Sequence, residues 1–96
     1  MKHVHLTINL TVSVLREKKR FVAYSPALDL STSGKSFKEV QSHFTEIVQL
    51  FFQEIEAQGT LDEVLENLGW TKVKKEWQPP DVIADSISIP VQLCHA

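Results

Sequence analysis

The sequence is poor in cysteine and glycine and has no long apolar run, and each shortage narrows what the chain does. The one cysteine, Cys94, cannot close an internal disulfide, so nothing points to an oxidising compartment. The three glycines do not gather into a phosphate-cradling loop. No apolar stretch approaches the roughly 18 residues that cross a bilayer. Residues 1–6, Met-Lys-His-Val-His-Leu, lack the apolar block of a secretion signal. These absences lead to the expectation of a cytoplasmic protein without membrane contact.

Reactive constellations are equally scarce. His3 and His5 project from one face of a strand, but His43 and His95 stand alone, whereas zinc sites collect three or four ligands. No nucleophile-elbow pattern occurs, and the serines fall in turn, strand and cap positions, away from any base. The expectation is therefore a non-enzyme with no metal and no cofactor.

What is present is ordinary globular material: 96 residues, 43% hydrophobic and 23% charged, enough for one modest core. Its charge is unevenly spread. Residues 1–38 hold seven Lys/Arg against two acids, a balance of +5. Residues 39–70 hold seven acids (Glu39, Glu46, Glu54, Glu56, Asp62, Glu63 and Glu66) with no Lys or Arg, a balance of −7. Such a segment attracts a basic partner and repels nucleic acid; the alternative is a solvated helical face.

Periodicity supplies the fold. Val4, Leu6, Ile8, Leu10, Val12 and Val14 alternate with polar residues, the period of a half-buried strand. Residues 16–20, Arg-Glu-Lys-Lys-Arg, read as a hairpin turn, Phe21 to Ser25 as a second strand ended by Pro26, and Leu28 to Ser33 as a third. Ser36 and Glu39 fit a capping box, with the Glu39 carboxylate reaching back to the Ser36 amide. The helix they open lines up Phe37, Val40, Phe44, Ile47, Val48, Phe51 and Ile55, with Glu39, His43, Glu46, Gln53 and Glu54 opposite, and stops at Gly59. A second capping pattern at Thr60 opens a short helix that ends at Gly69. Trp70 to Trp77 reads as a strand, and Ile87 to Leu93 as an edge strand in which Pro90 is tolerated. The expected fold is α+β: an antiparallel sheet of three to four strands, one long amphipathic helix on one face, and a short second helix.

The stretch from Phe21 to Glu39 resembles the HicB-like antitoxin family. The shared features are an aromatic-Val-Ala strand, Pro26-x-Leu28, Thr32-x-Gly34, a Ser36 cap, and an acid three residues on. The resemblance covers about residues 4 to 57. It implies a degenerate RNase-H-like sheet-and-helix domain, filling 1–96 with its core at 4–57 and a C-terminal extension at 60–96. It implies a protein-binding antitoxin that masks the active surface of a small basic RNA-cleaving toxin (HicA-like), usually as a homo-oligomer, dimer or tetramer. The DNA-binding domain of many members has no room in residues 60–96, so direct DNA binding is not expected.

On this reading the partner-binding residues are Tyr24, Pro26, Leu28, Asp29, Thr32, Gly34, Glu39, Glu46 and Glu54. Leu50, Phe52 and Pro90 are candidates for contact between copies, because Leu50 falls among polar helix positions and Phe52 at the edge of the apolar stripe. Two other readings stay open. One is a stand-alone oligomeric structural protein without a toxin. The other is a weak RNA-binding domain using Arg16, Lys18, Lys19 and Arg20.

Overall fold

The structure, a computed structural model, describes residues 9–84 and 87–93. The fold is α+β: β1 (Ser13–Glu17), β2 (Arg20–Ser25) and β3 (Leu30–Gly34), then α1 (Phe37–Ala57) and α2 (Leu61–Asn67), then β4 (Thr71–Val73) and β5 (Glu76–Gln78). The first three strands form an antiparallel sheet in the order β1-β2-β3, and β4 pairs with β5 separately. The long amphipathic helix and the short second helix are both present.

The hairpin turn is tighter than the charge cluster suggested. β1 continues through Arg16 and Glu17, and only Lys18 and Lys19 form the loop, with Lys18 at φ 55°. Arg16 pairs with Phe21 in the strand register, with its guanidinium over the Phe21 ring, 5.9 Å from the centroid. Val4, Leu6 and Ile8 of the expected first strand, like His3, His5, Cys94 and His95, lie outside the described residues. Residues 9–12 carry no strand.

α1 begins as its sequence dictates, with one change. Ser36 Oγ accepts from the Glu39 amide at 3.0 Å, but the Glu39 carboxylate accepts from the Lys35 amide at 3.1 Å, one residue before the expected one. At its end, the Gly59 amide donates to Glu56 O and the Thr60 amide to Ile55 O, the paired bonds of a Schellman motif that need Gly59 at φ 71°. α2 repeats that ending, with Gly69 donating to Glu66 O and Trp70 to Leu65 O. The expected cap at Thr60 does not form: its hydroxyl turns back to Ile55 O at 3.4 Å.

The C-terminal part departs most from the sequence reading. Trp70 to Trp77 is a hairpin, not one strand, because Lys74 and Lys75 both take positive φ (51° and 69°) and reverse the chain. Ile87 to Leu93, expected as an edge strand, forms no strand and pairs with none among the described residues.

The core has two joined clusters under α1. Ala23, Val40 and Phe44 form one, with Val12, Phe21, Ile47 and Val48 against it. Ala27, Leu28, Ile55, Leu65, Trp70 and Trp77 form the other, so side chains from residues 65–77 complete a core begun at residue 27. Leu30 and Val48 touch both. Trp70 Nε1 donates to Ala27 O at 2.8 Å inside the second cluster.

Candidate functional site: two exposed faces

The sheet has one covered and one open face, fixed by the strand register. Ala23 and Ser25 are buried under α1, so Val22 and Tyr24 between them point the other way. Directly opposed residues share a face, which places Ser13, Tyr24 and Ser31 in one row and Leu15, Val22 and Ser33 in the next. Leu15 is 54% exposed. This open face is therefore a small apolar strip (Leu15, Val22, Tyr24) rimmed by hydroxyls, with Arg20 donating to Ser33 Oγ at 3.0 Å across it.

Tyr24 is held at one end of that strip. Its hydroxyl donates to Asp29 Oδ1 at 3.2 Å, and that bond, with smaller contributions from desolvation and the Asp29 charge, raises the phenol above its ordinary value. Asp29 sits at φ 52°, a left-handed position that aspartate tolerates better than most side chains. The turn after Pro26 thus aims a carboxylate at the only tyrosine in the chain.

The second face is the outer side of α1. At 100° per residue Glu39, Glu46, Leu50, Gln53 and Glu54 fall in one sector. Glu46, Leu50, Gln53 and Glu54 are exposed, Leu50 by 56%. Gln58 Nε2 donates to Glu54 Oε1 at 2.7 Å. His43 falls in the same sector, between Leu50 and Glu54, but is half-buried: its Nδ1 donates to Ser33 O at 2.9 Å, which ties α1 to β3.

These two faces do not gather the expected partner residues into one patch. Tyr24, Pro26 and Asp29 are exposed beside the sheet, and Glu46 and Glu54 are exposed on α1. Leu28, 2% exposed, is core. Gly34 is buried against α1, where an added Cβ would lie 2.7 Å from Val40 N, and Thr32 is half-buried. Glu39 caps the helix. Among the residues considered for contact between copies, Leu50 and Pro90 are exposed. Phe52 packs edge-on against Phe51 and Trp70, with ring centroids 5.6 and 6.2 Å away. The stripe is wider than the helix pattern alone indicated because Trp70 returns to cover that side.

Leu15 was not singled out in the sequence because the alternation ending at Val14 put the apolar face on the even-numbered residues. The hairpin tip is basic: Lys18, Lys19 and Arg20, with Glu17, Val22 and Ser33, line an open groove. Among the described residues no cluster of three or more His, Cys, Asp or Glu is placed to hold a metal ion, and no helix is long and apolar enough to cross a membrane. Comparisons with protein-family models, curated proteins and solved structures find no match to this chain.

Proposed function

We propose that this chain is a protein-binding module of the HicB-like antitoxin kind, which neutralises a small basic RNA-cleaving toxin by covering its active surface. The observation that carries the reading is the exposed sector of α1, where Glu46 and Glu54 flank the exposed Leu50. Carboxylates suit the site of a toxin that grips phosphates, and one central apolar side chain supplies the desolvated contact that long-range charge does not.

The helix dipole does not favour the acids at the end of α1. Glu54 and Glu56 stand in the last turn of α1, which has no basic residue, so they face the negative end of the helix dipole. The degenerate RNase-H-like description belongs to the same proposal: the three-stranded sheet with one helix packed on it supports it. The cytoplasm is the matching compartment.

An RNA-protection assay tests the reading. The folded chain is added in increasing amounts to a small basic ribonuclease of the HicA-like kind, with RNA as substrate. Cleavage that falls to zero near equimolar chain supports the proposal. Cleavage unchanged at low ionic strength overturns it, and RNA retardation by the chain alone, lost on reversing Lys18 and Lys19, would replace it with the RNA-binding reading.

A further inference from the structure

Among the described residues there is an unpaired strand edge and an unpaired segment with the alternation of a strand. β1 is an outer strand, hydrogen-bonded on one side to β2 and on the other to no described strand. At the opposite edge, His43 already occupies the Ser33 carbonyl of β3. Beside β1 runs a groove of about 360 Å³ lined by Leu10, Val12, Val14, Phe37 and Phe44 among others. Phe37 at its lip is exposed.

The strand-like segment is at the other end of the chain. Ile87, Ile89, Val91 and Leu93 alternate with Ser88, Pro90 and Gln92 and are 70–79% exposed. Alternation is the pattern of a strand with one buried face, yet no described residue buries it.

We propose that residues 87–93 of one copy add as a strand to the free edge of β1 in a second copy, reciprocally, making a two-fold dimer. The odd-numbered side chains enter the groove toward Phe37 and Phe44, and the backbone groups of the same odd residues bond to β1. Pro90 then sits where a missing N–H faces solvent, the position at which an edge strand accepts proline. Each copy offers one β1 edge and one tail, so reciprocal exchange satisfies both and closes the assembly. Four aliphatic side chains of about 60–120 Å² each, counted over two junctions and both surfaces, bury on the order of 1,000 Å², the scale a specific interface needs.

This dimer is independent of toxin binding, since α1's outer face is not part of it. The test uses the full chain and the variant Ile89→Asp/Val91→Asp, whose substituted positions are exposed in the monomer. Light scattering after size exclusion is expected to give twice 10.9 kDa for the native chain and 10.9 kDa for the variant. Isotope-filtered NMR on mixed labelled and unlabelled native chains is expected to show Ile89 and Val91 methyls against the Phe37 and Phe44 rings between copies. A monomeric native chain, contacts within one chain only, or a dimer unmoved by the double substitution each overturns the proposal. Loss of dimer with toxin binding retained separates it from the proposed function.

Discussion

Trp70 donates its indole N–H to the carbonyl of Ala27 across 43 residues of sequence, at 2.8 Å and out of contact with water. The bond fastens the turn that carries Asp29 to the residue that follows α2. It therefore links the C-terminal part of the chain to the open-face corner of the sheet. Trp70→Phe keeps most of the ring but orphans a buried carbonyl, and it should cost about 1–3 kcal/mol. Urea unfolding followed by circular dichroism measures it, and an unchanged midpoint would remove the bond from the account.

Gly34 and Gly59 make opposite demands. At Gly34 a methyl group would meet Val40 N at 2.7 Å, backbone that moves only if α1 shifts. Gly34→Ala should therefore destabilise by about 1–3 kcal/mol through overpacking. At Gly59 nothing lies within 4 Å of an added Cβ, and the constraint is the positive φ. There Asn should be tolerated better than Ala. Thermal unfolding of the three variants checks the contrast.

The two-residue turn of the C-terminal hairpin is built from the wrong residues for its shape. Lys74 and Lys75 both occupy left-handed backbone, where Asn-Gly is favoured. Lys74→Asn with Lys75→Gly should raise stability by about 0.5–2 kcal/mol. A higher urea midpoint, with slope unchanged, is the expected result.

Tyr24 gives a pH prediction with a defined sign. Its phenol is raised above 10.0 because its hydroxyl donates to Asp29. Stability from this bond is complete below the unfolded phenol's value and is lost as pH climbs through the raised, folded value. The window is therefore alkaline, and neutral solutions do not sample it. As the chain has one tyrosine, tyrosinate absorbance reports Tyr24 alone. Asp29→Asn, which keeps a residue tolerant of φ 52°, should bring the titration down toward 10.0.

Much of the architecture was legible where a pattern had one physical cause. The spacing of Val40, Phe44 and Ile55 located α1's buried face, and the Ser36 cap and Gly59 stop fixed its ends. The failures came where one signal had two causes. Charge at Arg16 and Glu17 read as turn, although a charged side chain also suits an exposed strand end, and Arg16 covers Phe21. Lys74 and Lys75 hid a turn because lysine is a poor turn residue. The alternating tail read as an edge strand, but alternation alone supplies no pairing partner, and residues 87–93 form no strand. Leu28 and Gly34 looked like contact residues and are packing residues, a difference that depends on where α1 and Trp70 come to rest.

The most direct test of the acidic face is binding measured by titration calorimetry at low ionic strength, using a small basic ribonuclease of the HicA-like kind and two forms of the chain. The native chain should bind, with affinity falling as salt is added. Glu46→Lys/Glu54→Lys, both at exposed positions, should keep the fold and lower the association constant about tenfold or more. Equal affinity of the two forms, or no heat of binding from the native chain, would contradict the account.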